Sequence, residues 1–193
     1  MKQAPSIDQC KAWMDSYEML DNIRAHSYLV ARVAELLVDE LNRVGKTPDV
    51  ADKQLVIAGG LLHDIAKTLC IRTGCHHARV GREICQEIGY PHLGELVEEH
   101  VYLKNFTSEL YKEGLFGAKE IVNYADKRVR HDEIVSLSER LSYILERYGH
   151  GDPAREKLIR KNFSFTTELE QFLFSFLDFS PDLLESRLQS RTF

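Results

Sequence analysis

Ionisable side chains that could bind a metal fall on the buried faces of several predicted helices. Each lies on an apolar stripe, follows an apolar run directly or opens a helix, so all point inward. These residues are His26, His63, Asp64, His77, His100 and Asp126. A single inward histidine is typical of a hydrogen-bonded core residue. Six such groups together favour a shared site, because buried polar groups need partners, hydrogen bonds or a metal.

The chemistry of this set is that of a nitrogen–oxygen metal site. Four imidazoles and two carboxylates suit iron, manganese, cobalt, nickel or magnesium, and suit zinc less typically because thiolates are missing. His63 and Asp64 are consecutive. They can share one ion or contact two different ions, because neighbouring side chains on a helix diverge by about 100°.

The elements that must position these residues are predicted to be helices. Apolar residues recur at spacings of three and four through most of the chain. This predicts an all-α fold, a single helical bundle with a C-terminal helical extension. The helices are predicted at about 6–19, 22–44, 48–69, 77–88, 92–103, 116–131 and 133–148, with a long one before Ser180-Pro181. Segments 70–76 and 104–114 are predicted loops. The predicted divisions are an N-terminal helix (1–21), a metal-binding helical domain (22–148) and an extension (149–193) packing on the same domain.

Composition limits the function and the location. The chain has 193 residues and a formal net charge of −5, which argues against long nucleic acid as the main partner. The apolar runs are far shorter than the roughly 20 residues that cross a bilayer, so no membrane association and a cytoplasmic location are expected. Its four cysteines lack paired short spacing, so a disulfide scaffold is not expected.

The order of these residues resembles a known family. His26, then His63-Asp64, then Asp126 resembles the H…HD…D signature of the HD-domain superfamily. The string from Gly60 to Lys67 is similar to its central motif, with alanine at 66 where many members have glycine. Tyr124-Ala125-Asp126-Lys127 resembles the segment that carries the final aspartate. The resemblance covers about residues 22–148 and implies a divalent metal used to hydrolyse phosphate esters.

Two further histidines resemble those of superfamily members that hold two metals. His77 to Gly81 is similar to the H-x-x-x-G helix start, and Glu98-Glu99-His100 to the later histidine. The resemblance implies two ions, most often iron or manganese. His76 is an alternative to His77, which is preferred for its spacing to Gly81.

The resemblance also implies roles for the charged residues. Asp64 would bridge or orient the ions, and Lys67 would neutralise phosphate charge or assist the leaving group. The alternative for Lys67 is a solvated lysine at a helix end. Four further cations are candidates for binding phosphate, although a charged run is more often a solvated face. They are Lys127, Arg128, Arg130 and Arg140. His92, His131 and His150 lie among polar residues near turns and are expected to be exposed.

The function implied is hydrolysis of a phosphate ester or anhydride in a small phosphorylated compound by metal-activated water. A nucleotide substrate follows from the tendency of the superfamily. Two rivals stay open: a di-iron oxygenase of the same superfamily, and a non-catalytic sensor of a nucleotide or a metal. A compact zinc site at 70–77 and a reactive Cys75 are weaker readings. The phenylalanine-rich segment 163–179 is expected in the core, with a homodimer contact as the alternative.

Overall fold

The computed structural model of the protein describes residues 4–190 and is almost entirely helical. The all-α prediction is confirmed. The helices are α1 (Ile7–Ser16), α2 (Asp21–Val44), α3 (Lys53–Leu62), α4 (Lys67–Thr73), α5 (His77–Glu87), α6 (Pro91–Glu99), α7 (Ser108–Lys112), α8 (Ala118–Lys127), α9 (Leu137–Ile144), α10 (Pro153–Ser175) and α11 (Leu184–Gln189). A two-stranded hairpin, β1 (Val129–Arg130) and β2 (Glu133–Ile134), joins α8 to α9. The outermost residues of the predicted N-terminal and C-terminal segments, 1–3 and 191–193, lie outside the described part.

Helix α2 is the axis of the fold, and α3 and α8 pack along it. The approach of α3 to α2 depends on Gly60, where a Cβ atom would lie 2.5 Å from the Cα of Ala31. A side chain at 60 would therefore push the two backbones apart. This close packing places the end of α3, which carries His63, beside His26 of α2.

The predicted third helix, 48–69, is wrong at both ends. Its first turn begins only at Lys53, because the Asp52 side chain accepts a hydrogen bond from the Leu55 N–H and caps the helix there. After Leu62 the chain makes a tight turn in which the Lys67 N–H bonds to the Asp64 carbonyl. The chain then starts α4, so the predicted loop at 70–76 is also wrong up to Gly74, whose φ of +74° ends that helix.

The predicted helices 116–131 and 133–148 are shorter than expected. Helix α8 stops at Lys127, and the hairpin turns through His131, whose φ is +57°. After α9 the chain widens into a π-helical turn, Leu145–Gly149. The predicted loop at 104–114 contains the short helix α7. These helix ends and short turns depend on tertiary packing, so the spacing of apolar residues in the sequence gives little indication of them.

The C-terminal helices pack on the same core as α2. Leu169, Leu173 and Leu177 are buried with α2 and α8 residues in one apolar cluster, to which α11 adds Leu184 and Leu188. A buried ion pair between Arg128 and Glu170, 2.9 Å apart, ties α8 to α10. The exact domain divisions at 21/22 and 148/149 stay a prediction.

The segment Lys53–Thr73 is apolar and long enough to cross a membrane by composition. Two thirds of its most apolar 18-residue stretch is buried inside the fold, and the turn at 63–66 interrupts it. These features are those of a helix in a protein core.

Cys70 and Cys75 form a disulfide, a pairing that was not expected from the sequence. The helical turn of α4 brings the two sulfur atoms together across Gly74, which the sequence prediction of an irregular loop did not foresee. The pairing also removes both thiols from the alternative readings of a zinc site and a reactive Cys75. Disulfides are rare in reducing compartments, so the cytoplasmic location stays a prediction.

Candidate metal centre

The six predicted ligands come from five separate places in the fold and meet in its interior. His26 comes from the first half of α2, and Asp126 from the end of α8. His63 and Asp64 follow directly after α3, His77 is the first residue of α5, and His100 follows α6. His63, Asp64 and His100 are at most 2% exposed. The turn after α3 lets the consecutive residues His63 and Asp64 contribute to two neighbouring groups of candidate ligands.

The first group surrounds His63. Its Nε2 atom lies 3.4 Å from Asp64 Oδ2 and 3.7 Å from Asp126 Oδ1. His26 Nε2 lies 3.0 Å from the same Asp126 oxygen. The ligand atoms of His26, His63 and Asp64 all lie within 4.8 Å of one another, close enough to contact one ion.

The second group uses the other oxygen of Asp64. Asp64 Oδ1 lies 3.4 Å from His77 Nε2 and 3.7 Å from His100 Nε2. The two histidine Nε2 atoms are 3.3 Å apart. Asp64 thus faces both groups of candidate ligands.

Backbone carbonyls fix the orientation of three imidazoles. The Nδ1 atoms of His26, His63 and His100 lie 3.1, 2.8 and 2.6 Å from the carbonyl oxygens of His131, Gly60 and Val97. Because a carbonyl only accepts, each Nδ1 must donate. In the neutral rings the Nε2 atoms therefore carry lone pairs toward the centre, as metal-binding histidines do.

Two buried ligand atoms lack a hydrogen-bond partner within residues 4–190. They are His63 Nε2 and Asp64 Oδ1. Unpaired buried polar atoms destabilise a fold by roughly 1–3 kcal/mol each. A divalent cation between lone pairs and carboxylates would satisfy both atoms, so the residues present fit a metal.

The electrostatics favour the metal-binding state for His77, His100 and Asp64, but not for His63. Burial opposes protonation of His63, yet the charges of Asp64 and Asp126 outweigh it and raise its pKa. Burial, reinforced by the neighbouring His63, lowers the pKa of His100 to about 3. Burial also lowers the pKa of His77. Burial opposes ionisation of Asp64, but the charges of Lys67 and His63 outweigh it and hold its pKa well below the usual range. Neutral imidazoles and an ionised carboxylate are the ligand forms of these side chains.

Three cations stand around the ligands. Lys67 Nζ donates to Asp64 Oδ2 at 2.6 Å, and an Arg140 nitrogen lies 3.6 Å from Asp126 Oδ1. Lys127 is buried, and its Nζ donates to the His100 carbonyl at 3.2 Å. Burial lowers the pKa of Lys127 to about 8. All three line the same cavity of about 390 Å³ as Asp64, His77, His100 and Asp126.

The other two predicted substrate cations lie elsewhere. Arg128 is turned into the core, where it pairs with Glu170 and donates to the carbonyls of Val135 and Pro181. Arg130 pairs with Glu133 at 3.0 Å on the hairpin. The lining of the cavity contains neither residue. Cations that are close in sequence therefore lie in different places. Lys127 and Arg140 line the cavity, whereas Arg128 lies in the core and Arg130 on the hairpin.

Some functional positions were missed by sequence reasoning. His131 has an exposed side chain as expected, but its carbonyl orients His26. Tyr148, Ile159, Asn162 and Phe163 line the cavity from the C-terminal elements. The residues at 149–153 indicate a break in the helical pattern, but nothing in the sequence indicated that the next helix returns to the cavity.

Comparison with known proteins gives one family and several distant relatives. The HD-domain family model matches residues 23–144. A tRNA (cytidine(56)-2'-O)-methyltransferase of Picrophilus torridus is 28% identical over 173 residues, which is 85% of this chain and 48% of that protein. An uncharacterized protein of Methanocaldococcus jannaschii is 28% identical over 152 residues, 74% of this chain and 86% of that protein. Ribonuclease Y of a Sulfurovum species is 27% identical over 131 residues, 61% of this chain and 24% of that protein.

The coverage of these relatives is uneven. The chain spans about half the length of the methyltransferase and about a quarter of the ribonuclease. No solved structure matches the chain significantly. The family match, in contrast, extends over most of the chain and includes every residue of both ligand groups. The chain belongs to the HD-domain family.

Proposed function

We propose that this protein is a metal-dependent phosphohydrolase that cleaves a phosphate ester or anhydride in a small phosphorylated compound, a nucleotide, with metal-activated water. Two ions, iron or manganese, are the proposed cofactor. One observation carries the proposal: Asp64 directs its two oxygens to two groups of histidines, and it lies with His77, His100 and Asp126 in the lining of a single cavity. Three cations line the same cavity.

His26, His63, Asp64 and Asp126 would hold one ion, and Asp64, His77 and His100 the other. Divalent ions there would polarise a phosphoryl oxygen and lower the pKa of a water molecule to near neutrality. Lys67 would hold Asp64 in place through its 2.6 Å hydrogen bond and offer positive charge to the phosphate.

The proposed substrate also depends on charge and size. Lys127 and Arg140 add positive charge to the lining, and an arginine fork suits phosphate oxygens. A cavity of about 390 Å³ lies in the range of small-molecule sites, which supports a compact substrate. The names of two relatives concern RNA, and a nucleotide shares the chemistry of an RNA end.

The test is metal content by plasma mass spectrometry on anaerobically purified protein. We expect about two equivalents in the wild type and fewer in both His63→Ala and His100→Ala. The matched control is His92→Ala, because His92 is exposed and lies outside the cavity lining. A hydrolysis screen of nucleotides with the loaded protein then follows.

Other outcomes distinguish the alternatives. About one equivalent, lost only in His63→Ala, would reduce the site to a single ion and remove His77 and His100. A protein that binds no metal after reconstitution with manganese or iron would contradict the mechanism and favour the sensor. Oxygen consumption by the iron-loaded protein would favour the oxygenase.

A further inference from the structure

The cavity lining contains two chemically different sets of residues. Asp64, His77, His100 and Asp126 with the three cations form one set, which we call the floor. Six apolar or aromatic residues form the other set, which we name the apolar wall: Ile71, Val101, Ile144, Tyr148, Ile159 and Phe163. A substrate that fills the cavity must therefore combine a charged end with a body that suits the wall.

Much of the apolar wall comes from elements beyond the part that matches the family. The family match ends at residue 144. Tyr148 lies in the π-helical turn, and Ile159 and Phe163 lie on α10. π-helical turns are frequent at functional sites. The candidate metal ligands lie within the family match, whereas half of the wall belongs to the C-terminal elements beyond it.

The wall offers few polar partners. The amide nitrogen of Asn162, beside it, already donates to the Val101 carbonyl at 2.8 Å. The Tyr148 phenol lies near enough to Lys67 to interact with it electrostatically. Hydroxyls or charges of a substrate placed on this wall would lose water without gaining hydrogen bonds. An aromatic or aliphatic body would not incur this loss.

We propose that the apolar wall selects phosphorylated compounds that carry an apolar or aromatic ring, against sugar phosphates that lack one. Tyr148 and Ile159 are its specificity-determining residues. Phe163, 5% exposed, forms the inner end of the wall. Tyr148 is 45% exposed and stands at the outer end, where its ring can pack on a planar group. This inference rests on the proposed function for its phosphate-binding floor.

The test measures binding without hydrolysis. Isothermal titration of the metal-loaded protein compares 3-phenylpropylphosphonate with propylphosphonate, which share the phosphonate and differ in the ring. We expect the phenyl compound to bind on the order of tenfold more tightly, because the ring buries apolar area. The ratio should approach one in Tyr148→Ala and in Ile159→Ser.

Two control variants separate the wall from general effects. Tyr148→Phe keeps the ring and should keep the preference. Leu158→Ala changes the neighbour of Ile159 that is 69% exposed and outside the cavity lining, so it should behave as wild type. A wild-type ratio near one, equal losses in Leu158→Ala and Ile159→Ser, or no binding of either compound would overturn the inference.

A hydrolysis arm distinguishes this inference from the proposed function. Adenosine 5′-monophosphate and ribose 5-phosphate carry the same ester on the same sugar and differ only in the base. A higher kcat/KM for the nucleotide, reduced by Ile159→Ser and not by Leu158→Ala, supports a nucleobase on the wall. A phosphonate preference without any hydrolysis would uphold the wall and contradict the proposed function.

Discussion

The positions of individual side chains in this site affect its electrostatics as well as its packing. Each of three imidazoles donates one N–H to a backbone carbonyl, which fixes the nitrogen that faces the centre. Two aspartates stay ionised despite burial because cations and histidines surround them. The centre therefore contains buried negative charge, which a divalent cation bound there would stabilise.

Lys67 gives the first prediction at this scale. Changing Lys67→Met should lower kcat about 100-fold, in the range seen when one electrostatic donor is removed from an active site. About two metal equivalents should remain, because Lys67 donates to a ligand and is not itself one. Steady-state kinetics and metal analysis measure the two effects. Lys46→Met, at an exposed position, is the control, and loss of metal in Lys67→Met would contradict the assignment.

The cysteines give a second prediction. Burial raises the pKa of the Cys10 and Cys85 thiols to about 12, so at pH 8 both stay protonated and unreactive. Iodoacetamide should label no cysteine in the folded protein without reductant. It should label two after unfolding and four after unfolding with reductant. Intact-protein mass spectrometry counts the labels, and four labels without reductant would mean that Cys70 and Cys75 are not paired.

At the scale of helices, apolar spacing predicted which residues face inward better than where helices end. The structure brings all six predicted ligands together, and most of them lay on an apolar stripe or directly after an apolar run in the sequence. The spacing extended the third helix through 63–66, because Ile65 and Ala66 continue the apolar pattern and are indeed buried. The hairpin after α8 has only two residues in each strand, too few for a pattern of alternation. Burial of Lys127 and the inward turn of Arg128 depend on tertiary partners that spacing does not reveal.

The contact between α2 and α3 supports a third prediction. Gly60→Ala should lower the free energy of unfolding by about 1–3 kcal/mol, the usual effect of overpacking, because its Cβ would meet the backbone of Ala31. Gly59→Ala is the matched comparison, because its Cβ would mainly meet the terminal methyl groups of Leu96, which can move. Urea unfolding compares the two. An equal or larger loss in Gly59→Ala would show that backbone contact does not limit this packing.

The link between α8 and α10 supports a fourth prediction. Arg128→Met should lower the free energy of unfolding by about 3–5 kcal/mol, because it leaves Glu170 partly buried without its cation. The double variant Arg128→Met with Glu170→Met should lose clearly less, since no unpaired charge remains. Denaturant unfolding of both variants and of Glu170→Met completes a double-mutant cycle. A purely additive cycle would show that the 2.9 Å pair contributes no coupling.

For the whole molecule, the candidate metal centre draws its residues from helices that contribute to two apolar clusters. One cluster contains residues of α2, α8, α10 and α11, and the other contains residues of α1, α3, α5 and α6. Each cluster buries enough apolar side chains to hold its helices together by the hydrophobic effect. The helices should therefore persist without metal, while the charges gathered at the candidate metal centre oppose folding until a cation binds.

This arrangement predicts that metal stabilises a protein that is already folded. Metal-stripped protein should keep its far-ultraviolet circular dichroism but melt at a lower temperature than the loaded form. With free metal at 100 times its dissociation constant, metal binding raises the free energy of unfolding by about 2.7 kcal/mol. For a chain of this size, this raises the melting temperature by roughly 5–10 °C. His63→Ala should lose this increment and His92→Ala should keep it. If the stripped protein is unfolded, the ions are part of the core and the clusters do not suffice; if added manganese or iron leaves the melting temperature unchanged, the unpaired atoms at Asp64 and His63 do not bind a cation.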